Sequence, residues 1–522
     1  MSAAGDFGRL VHAEWTKFRS VRGWVVAMLV AAAAIIGLGV MPGYQGSCGR
    51  NGPQSECSLP VGPGGEEVTD SFSFAHQSLT GDGSITVRLT SMTGLVPSPP
   101  SDDPSGGAGP VKEGGGDAGQ AGLVPWAKAG IILKAGTAQG SSYAALMLTG
   151  TQGVRMQYDY THDIAGAAGG VSAQSPRWLR LTRAGDTVTG EQSADGNQWT
   201  KVGTARLADL PSTLEAGMFA TSPQYTESSS EVFGLSGEMS GPSQATGVFD
   251  SVQRQGTWSG GEWKGEAIGA VANPGPVEQG RFEQDGEHIT VTGSGDIAPA
   301  VTGAAGLGTS ITQTLVGTFA GLILVVVVGT MFVTAEYGRG LMRTTMSASP
   351  RRGLILAAKA LVIGAVTFVI GLAAAAAVVT LGQRVLRANG VYVHAVSTFT
   401  QLRVIIGTAA LLAVAAVLAL ALGVILRRSA AAVTTAVLGI VLPYLLAVSV
   451  LPAGAGQWLL RVTPAAAFAL QQSSLEYPQV TNLYTPVNGY FPLPAWAGFA
   501  VLCGWTALAL GIAGFLLRRR DA

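Results

Sequence analysis

Cysteine is nearly absent, with three in 522 residues, which excludes a disulfide-dense scaffold. Charge is also scarce. Charged residues make up 12%, and 32 Lys and Arg balance 32 Asp and Glu. Bulk charge therefore implies no nucleic-acid or acidic partner. The five histidines, His12, His76, His162, His288 and His394, stand far apart. None has metal-ligand spacing to another His or Cys, so no metal site is expected. No G-x-x-x-x-G-K-[ST] phosphate loop occurs, so the chain carries no visible ATP-hydrolysing site, and no cofactor is expected on it.

Long uncharged runs are what the sequence has instead. Hydrophobic residues reach 47% and are unevenly spread. Roughly the first 45 and the last 210 residues are apolar, while the middle is rich in Gly, Ser, Thr and Pro. Runs of about 18 or more uncharged residues cover the ~30 Å of a bilayer's hydrocarbon. Six are present, over 23–41, 311–334, 360–382, 404–426, 430–451 and 495–517. The fifth contains Pro443, which membrane helices tolerate where neighbours satisfy the freed carbonyl. Abundant Ala and Gly let helices approach closely, so 311–517 reads as a packed bundle. A polar stretch precedes the first run, which is longer than a signal peptide's apolar core, so a retained helix is expected.

Lys and Arg near the span ends set orientation. Arg9, Lys17, Arg19 and Arg22 precede span one; Arg339, Arg343, Arg351 and Arg352 lie between spans two and three. Arg427 and Arg428 follow span four, and Arg518, Arg519 and Arg520 open the tail 518–522. Both termini and the loop 335–359 are thus expected in the cytoplasm of a plasma-membrane protein, with the insert 42–310 outside. In that oxidising compartment Cys48 and Cys57 can pair, a short loop worth about 2–3 kcal/mol at best, or remain thiols. Cys503 reads as a small apolar residue inside a span.

The insert alternates apolar and polar residues, as in SITVRLT and RWLRLTRAG, with Asp195-Gly196 as a hairpin signal. Many short strands between turns imply an all-β sandwich or jelly roll. The tract 97–122, PSPPSDDPSGGAGPVKEGGGDAGQAG, lacks the apolar surface to order itself and is expected as a disordered loop. VTDSFSFAHQSLTGDGSITVRL, WAKAGIIL and WLRLTRAGDTVTGEQSADGNQWTKVG resemble the concanavalin-A-like, laminin-G-type sandwiches of bacterial surface proteins, over 66–240. Residues 245–298 are either a small β-rich lobe or the completion of the first. The resemblance implies envelope glycan as a partner. Trp126, Trp178 and Trp199 would then face sugar, whereas tryptophans of sandwiches are more often core. Glu283, Asp285 and Glu287 mimic a glycosidase carboxylate set on one strand, but Asp285-Gly286 is a turn signal that would split it.

The membrane part resembles the ABC-2 type permeases, membrane subunits of ATP-driven exporters. HAEWTKFRSVRGW, with Glu14, Trp15, Lys17, Arg19 and Arg22, is similar to their interfacial N-terminal helix, within 1–22. AEYGRGLMRTTMSASPRRGLILAAK is similar to their ATPase-coupling loop, and its Glu336 and Gly340 match the family's E-x-x-x-G. A separate ATPase subunit that holds the ATP, and a dimeric or paired permease, are what the resemblance implies. The insert of some 270 residues departs from the family's short link. Arg339 and Arg343, at i and i+4, can pair with carboxylates on a partner, or can simply anchor topology and touch lipid phosphates. Glu14 has no lipid role and invites a basic partner. The stretch RVTPAAAFALQQSSLEY reads as amphipathic segments near the outer surface.

Overall fold

The computed structural model describes residues 3–41, 58–97, 119–230, 236–270, 280–303, 308–338 and 352–519. Among these are six helices long and apolar enough to cross a membrane, and a large antiparallel β domain inserted after the first.

An 18-residue helix, α1 (Ala3–Ser20), runs into α2 (Arg22–Val40), the first apolar helix. After the β domain come α3 (Thr318–Gly338) and α4 (Arg352–Ala377), the latter continuing through a π turn to Ala388. Then follow α5 (Thr398–Leu426), α6 (Ser429–Ser449), the short α7 (Ala453–Val462) and α8 (Ala495–Arg519). Helix α6 continues through Pro443. The most buried span is α5, which packs on α3, α4, α6 and α8. Small residues allow this: a Cβ added at Gly329 of α3 would lie 2.7 Å from the Ala416 carbonyl oxygen of α5. Pro464–Gln471 forms a 3₁₀ helix whose eight residues are all buried, so this part of the α7–α8 connection is bundle core rather than an amphipathic surface segment.

Alternation of apolar and polar residues builds the β domain. The strand Phe72–Val96 pairs through its first half with Thr213–Thr221 and through its second with Arg177–Ala184. Between them the chain turns at Gly81, whose φ of +71° suits glycine. One long strand thus feeds two layers, and Leu79, Val87, Leu146, Leu181 and Met218 meet in the core between them. Gln244–Ile268 pairs along nearly the whole of Phe72–Val96, so the segment 245–298 completes the first sandwich and is not a separate lobe. Of the tract 97–122, residues 98–118 lie outside the described residues, and Gln120–Ala121 pair with Leu95 and Val96.

A two-stranded neck, Val68–Asp70 against Ile297–Pro299, joins the sandwich to the bundle. Two buried lysines clamp it from the sandwich side. Lys134 Nζ lies 2.7 Å from Asp70 Oδ2, which also accepts from the Tyr160 hydroxyl at 2.8 Å. Lys128 Nζ donates to Asp296 Oδ1 at 2.6 Å and to the Ile297 carbonyl at 2.7 Å. From the bundle side, His394 Nδ1 sits 2.9 Å from Glu67 Oε2. The Thr302 carbonyl accepts from Asn482 at 2.9 Å and from the Tyr490 hydroxyl at 3.0 Å.

Candidate functional site

The bundle end remote from the sandwich holds a cluster of four charges, three of them buried and Lys17 half-buried. Helix α1 presents Glu14 and Phe18 inward at i and i+4, while Trp15, Arg19 and Arg22 stay exposed. Helix α3 runs past the expected end of its span to Gly338, and α4 begins at Arg352. The expected loop 335–359 is therefore shorter at both ends, and Glu336 and Lys359 are helical. Both are 1% exposed, and Glu14 is 7% exposed. Lys359 Nζ lies 2.8 Å from Glu14 Oε2 and also pairs with Glu336 Oε1, which in turn pairs with Lys17. Two carboxylates and two ammonium groups balance, which is the condition for burying charge at all.

The apolar wall of the cluster is aromatic. The Phe332 ring lies 5.0 Å from Lys359 Nζ. It meets Trp24 edge-on at 5.3 Å and Phe18 at 6.0 Å. Trp24 is thus part of the bundle core. The Lys17 ammonium is pulled down to about 8 by burial first and by the Lys359 charge second, with Glu14 opposing. Arg352 donates to the Leu517 carbonyl at 2.7 Å, tying the start of α4 to the end of α8. Arg427 lies over the Tyr337 ring at 5.3 Å. The arrangement joins α1, α3 and α4 into one unit, so a displacement of any of them loads the other two.

Glu14, Lys17, Glu336 and Lys359 are brought together, and Arg352 stands at the base of α4. Arg339, Gly340, Arg343 and Arg351 lie outside the described residues, as do Cys48 and Cys57. Lys359 was missed as a site residue. Its signal was a lysine at the foot of an otherwise apolar run, with Glu14 as an unexplained acid on another amphipathic element.

On the sandwich, Trp126 is buried, and Trp178 and Trp199 are half-buried. Each has a guanidinium over its ring: Arg155 at 5.4 Å, Arg88 at 5.7 Å and Arg180 at 4.0 Å respectively. Asp195 holds its turn by accepting from the Asn197 and Gln198 amides at 2.8 and 2.9 Å. These bonds, with Ser193, keep its carboxyl below the usual range. Glu283 and Asp285 belong to one strand of a hairpin, Glu287 follows the turn at Gly286, and Glu283 pairs with Arg281. Among the described residues, no group of three or more His, Cys, Asp or Glu is placed to hold a metal ion.

Residues 162–522 match the family described as ABC-2 family transporter protein, well over half of the chain. The protein belongs to the ABC-2 transporter family: a six-helix membrane bundle with a β-sandwich inserted after its first span. No curated protein matches it. Solved structures similar to it include a functionally unknown protein from Saccharomyces cerevisiae, at 14% identity over 38% of this chain and 82% of that one, with a TM-score of 0.22. Another is scytalido-glutamic peptidase with a transition state analog inhibitor, at 10% identity over 43% of this chain and 98% of that one, with a TM-score of 0.23. At these scores the likenesses carry no argument about fold or activity.

Proposed function

We propose that this chain is the membrane-spanning permease subunit of an ATP-driven exporter, drawing energy from a separate ATPase subunit. The observation that carries the reading is the largely buried Glu14–Lys359–Glu336–Lys17 cluster. It binds the interfacial helix to the two spans that flank the E-x-x-x-G segment, where a docked ATPase would push. Family membership and the lack of a phosphate loop in the sequence support the same division of labour. Arg339 and Arg343 would grip carboxylates of the partner.

In this reading the termini are cytoplasmic, the bundle sits in the plasma membrane, and the sandwich faces outward. The substrate path would form between two permease copies. Movement of α3 would be passed toward the sandwich through the short helix Ile311–Thr314, capped by Ser310, that precedes α3. The concanavalin-A-like sandwich would receive cargo or hold envelope glycan. The competing reading is a membrane-anchored glycan-binding sensor without transport.

Purification from native membranes beside an Arg339→Glu/Arg343→Glu variant separates the two. An ATPase that accompanies the wild type and is lost with the variant supports the permease. Absence of any ATPase under gentle extraction favours the sensor.

A further inference from the structure

A cavity of about 610 Å³ lies between the sandwich neck and the adjoining ends of α5 and α8. That is the size of a small-ligand site. Its mouth is apolar. Phe399 and Trp496 are the second residues of α5 and α8, which places both at a membrane boundary. With Leu475 they are 74, 57 and 68% exposed. The apolar stripe continues down α5 through Leu402 and Ile406, at 52 and 46% exposure.

Besides the Tyr477 phenol, the walls carry four ionisable groups, and two of them satisfy each other. Glu67 accepts from the Ala395 amide at 3.0 Å and faces His394 Nδ1 at 2.9 Å. The other two are one of each sign, Arg403 on α5 and Glu66 just before the neck. Arg403 stands one turn deeper into the bundle than Phe399; it donates to the Gln472 carbonyl, yet its Nε is buried without a hydrogen-bond partner. The Glu66 Oε1 is likewise buried without a partner. Both side chains line the cavity, Arg403 from the membrane side and Glu66 from the sandwich side.

From this ordering we infer that the cavity binds a zwitterionic amphiphile of the phosphoethanolamine-lipid type. The tail lies along Phe399, Leu402 and Ile406, the phosphate meets Arg403, and the ammonium beyond it meets Glu66. A lipid has its charges in that sequence, with the anion next to the tail. An anionic lipid would engage Arg403 alone and leave Glu66 unmet. The assignment concerns binding and stands apart from whether an ATPase partners the chain.

The test is lipid retention by the purified full chain, measured by native mass spectrometry. The chain is stripped of lipid and then offered phosphatidylethanolamine, phosphatidylglycerol or a trimethylammonium lipid with identical tails. Phosphatidylethanolamine should be retained about tenfold more tightly than the other two. Arg403→Gln should lower its retention by about tenfold, and Glu66→Gln should abolish the preference over phosphatidylglycerol while leaving phosphatidylglycerol retention in place. Glycerophosphoethanolamine, the head without tails, should not compete. Competition by it would mean a soluble zwitterion is the ligand and would overturn the lipid assignment. Equal retention of all three lipids by the wild type, or a preference unmoved by Glu66→Gln in a normally folded variant, would overturn the site. Glu66 adjoins the neck and Arg403 belongs to a span, so a folding defect in one variant leaves the other decisive.

Discussion

Lys359 Nζ lies 2.8 Å from the Glu14 carboxylate, although 345 positions separate the two residues. Neither residue is accounted for by its own segment. Together with Lys17 and Glu336 they make a neutral charged cluster in an apolar setting, where each member is tolerated because the others are present.

The first expectation concerns that balance. Lys359→Met leaves Glu14 and Glu336 buried with Lys17 alone, and breaking a buried pair costs about 3–5 kcal/mol. The double variant Glu14→Gln/Lys359→Met retains the Lys17–Glu336 pair and should recover most of the loss. Thermal unfolding in nanodiscs checks both. A double variant no better than the single would show that the charges act independently.

Lys17 gives a pH dependence. Its folded value, about 8, lies below the ordinary 10.5, so between those values the unfolded chain holds a proton that the folded chain has released. Its contribution to stability therefore rises with pH across the window from about 8 to 10.5, and the cost of its burial is fully present below about 8. Lys17 should react with an amine-specific reagent with a midpoint near 8, well below that of free Nα-acetyllysine. Lys359→Met removes the repelling charge and should move that midpoint upward.

The neck depends on buried lysines. Lys134→Met would leave Asp70 buried beside Tyr160 without its cation, at a cost of about 3–5 kcal/mol. Adding Asp70→Asn should restore part of it. Chemical denaturation followed by the β-sheet circular dichroism signal reads the sandwich; equal midpoints for Lys134→Met and the wild type would remove this role.

Helix packing makes a fourth case. Gly329→Val would force a Cβ against the Ala416 carbonyl, 2.7 Å away, and should cost about 1–3 kcal/mol through overpacking of α3 on α5. Gly439→Ala meets no atom within 4 Å and should be neutral or slightly stabilising in the same melting experiment.

The six spans and the β character of the insert could be read from the sequence because both rest on local periodicity: long charge-free runs, and alternation between turn residues. Span ends were less readable. A charge is ordinarily a sign of water, so Glu336 and Lys359 looked like loop residues; each is in fact neutralised by a partner from another helix. Pro464–Gln471 looked like a surface segment for a similar reason. Its polar residue Gln471 spends its amide on Thr318 and Thr408, a satisfaction that no local pattern displays. The joining of 245–298 to the first sandwich depends on pairing between strands more than 150 positions apart, such as Phe249 with Leu89. The E-x-x-x-G resemblance drew attention to Glu336, while its cationic partners emerged only from the packing.

The most direct measurement places a photo-reactive amino acid at position 343, and in a separate protein at Gln198 on the sandwich surface, and cross-links the gently extracted assembly. Position 343 should capture an ATPase subunit, identified by mass spectrometry, and position 198 should capture none. An ATPase that co-purifies yet cross-links from 198 and never from 343 would contradict the assignment of the Glu336–Lys359 end as the site where energy enters the protein.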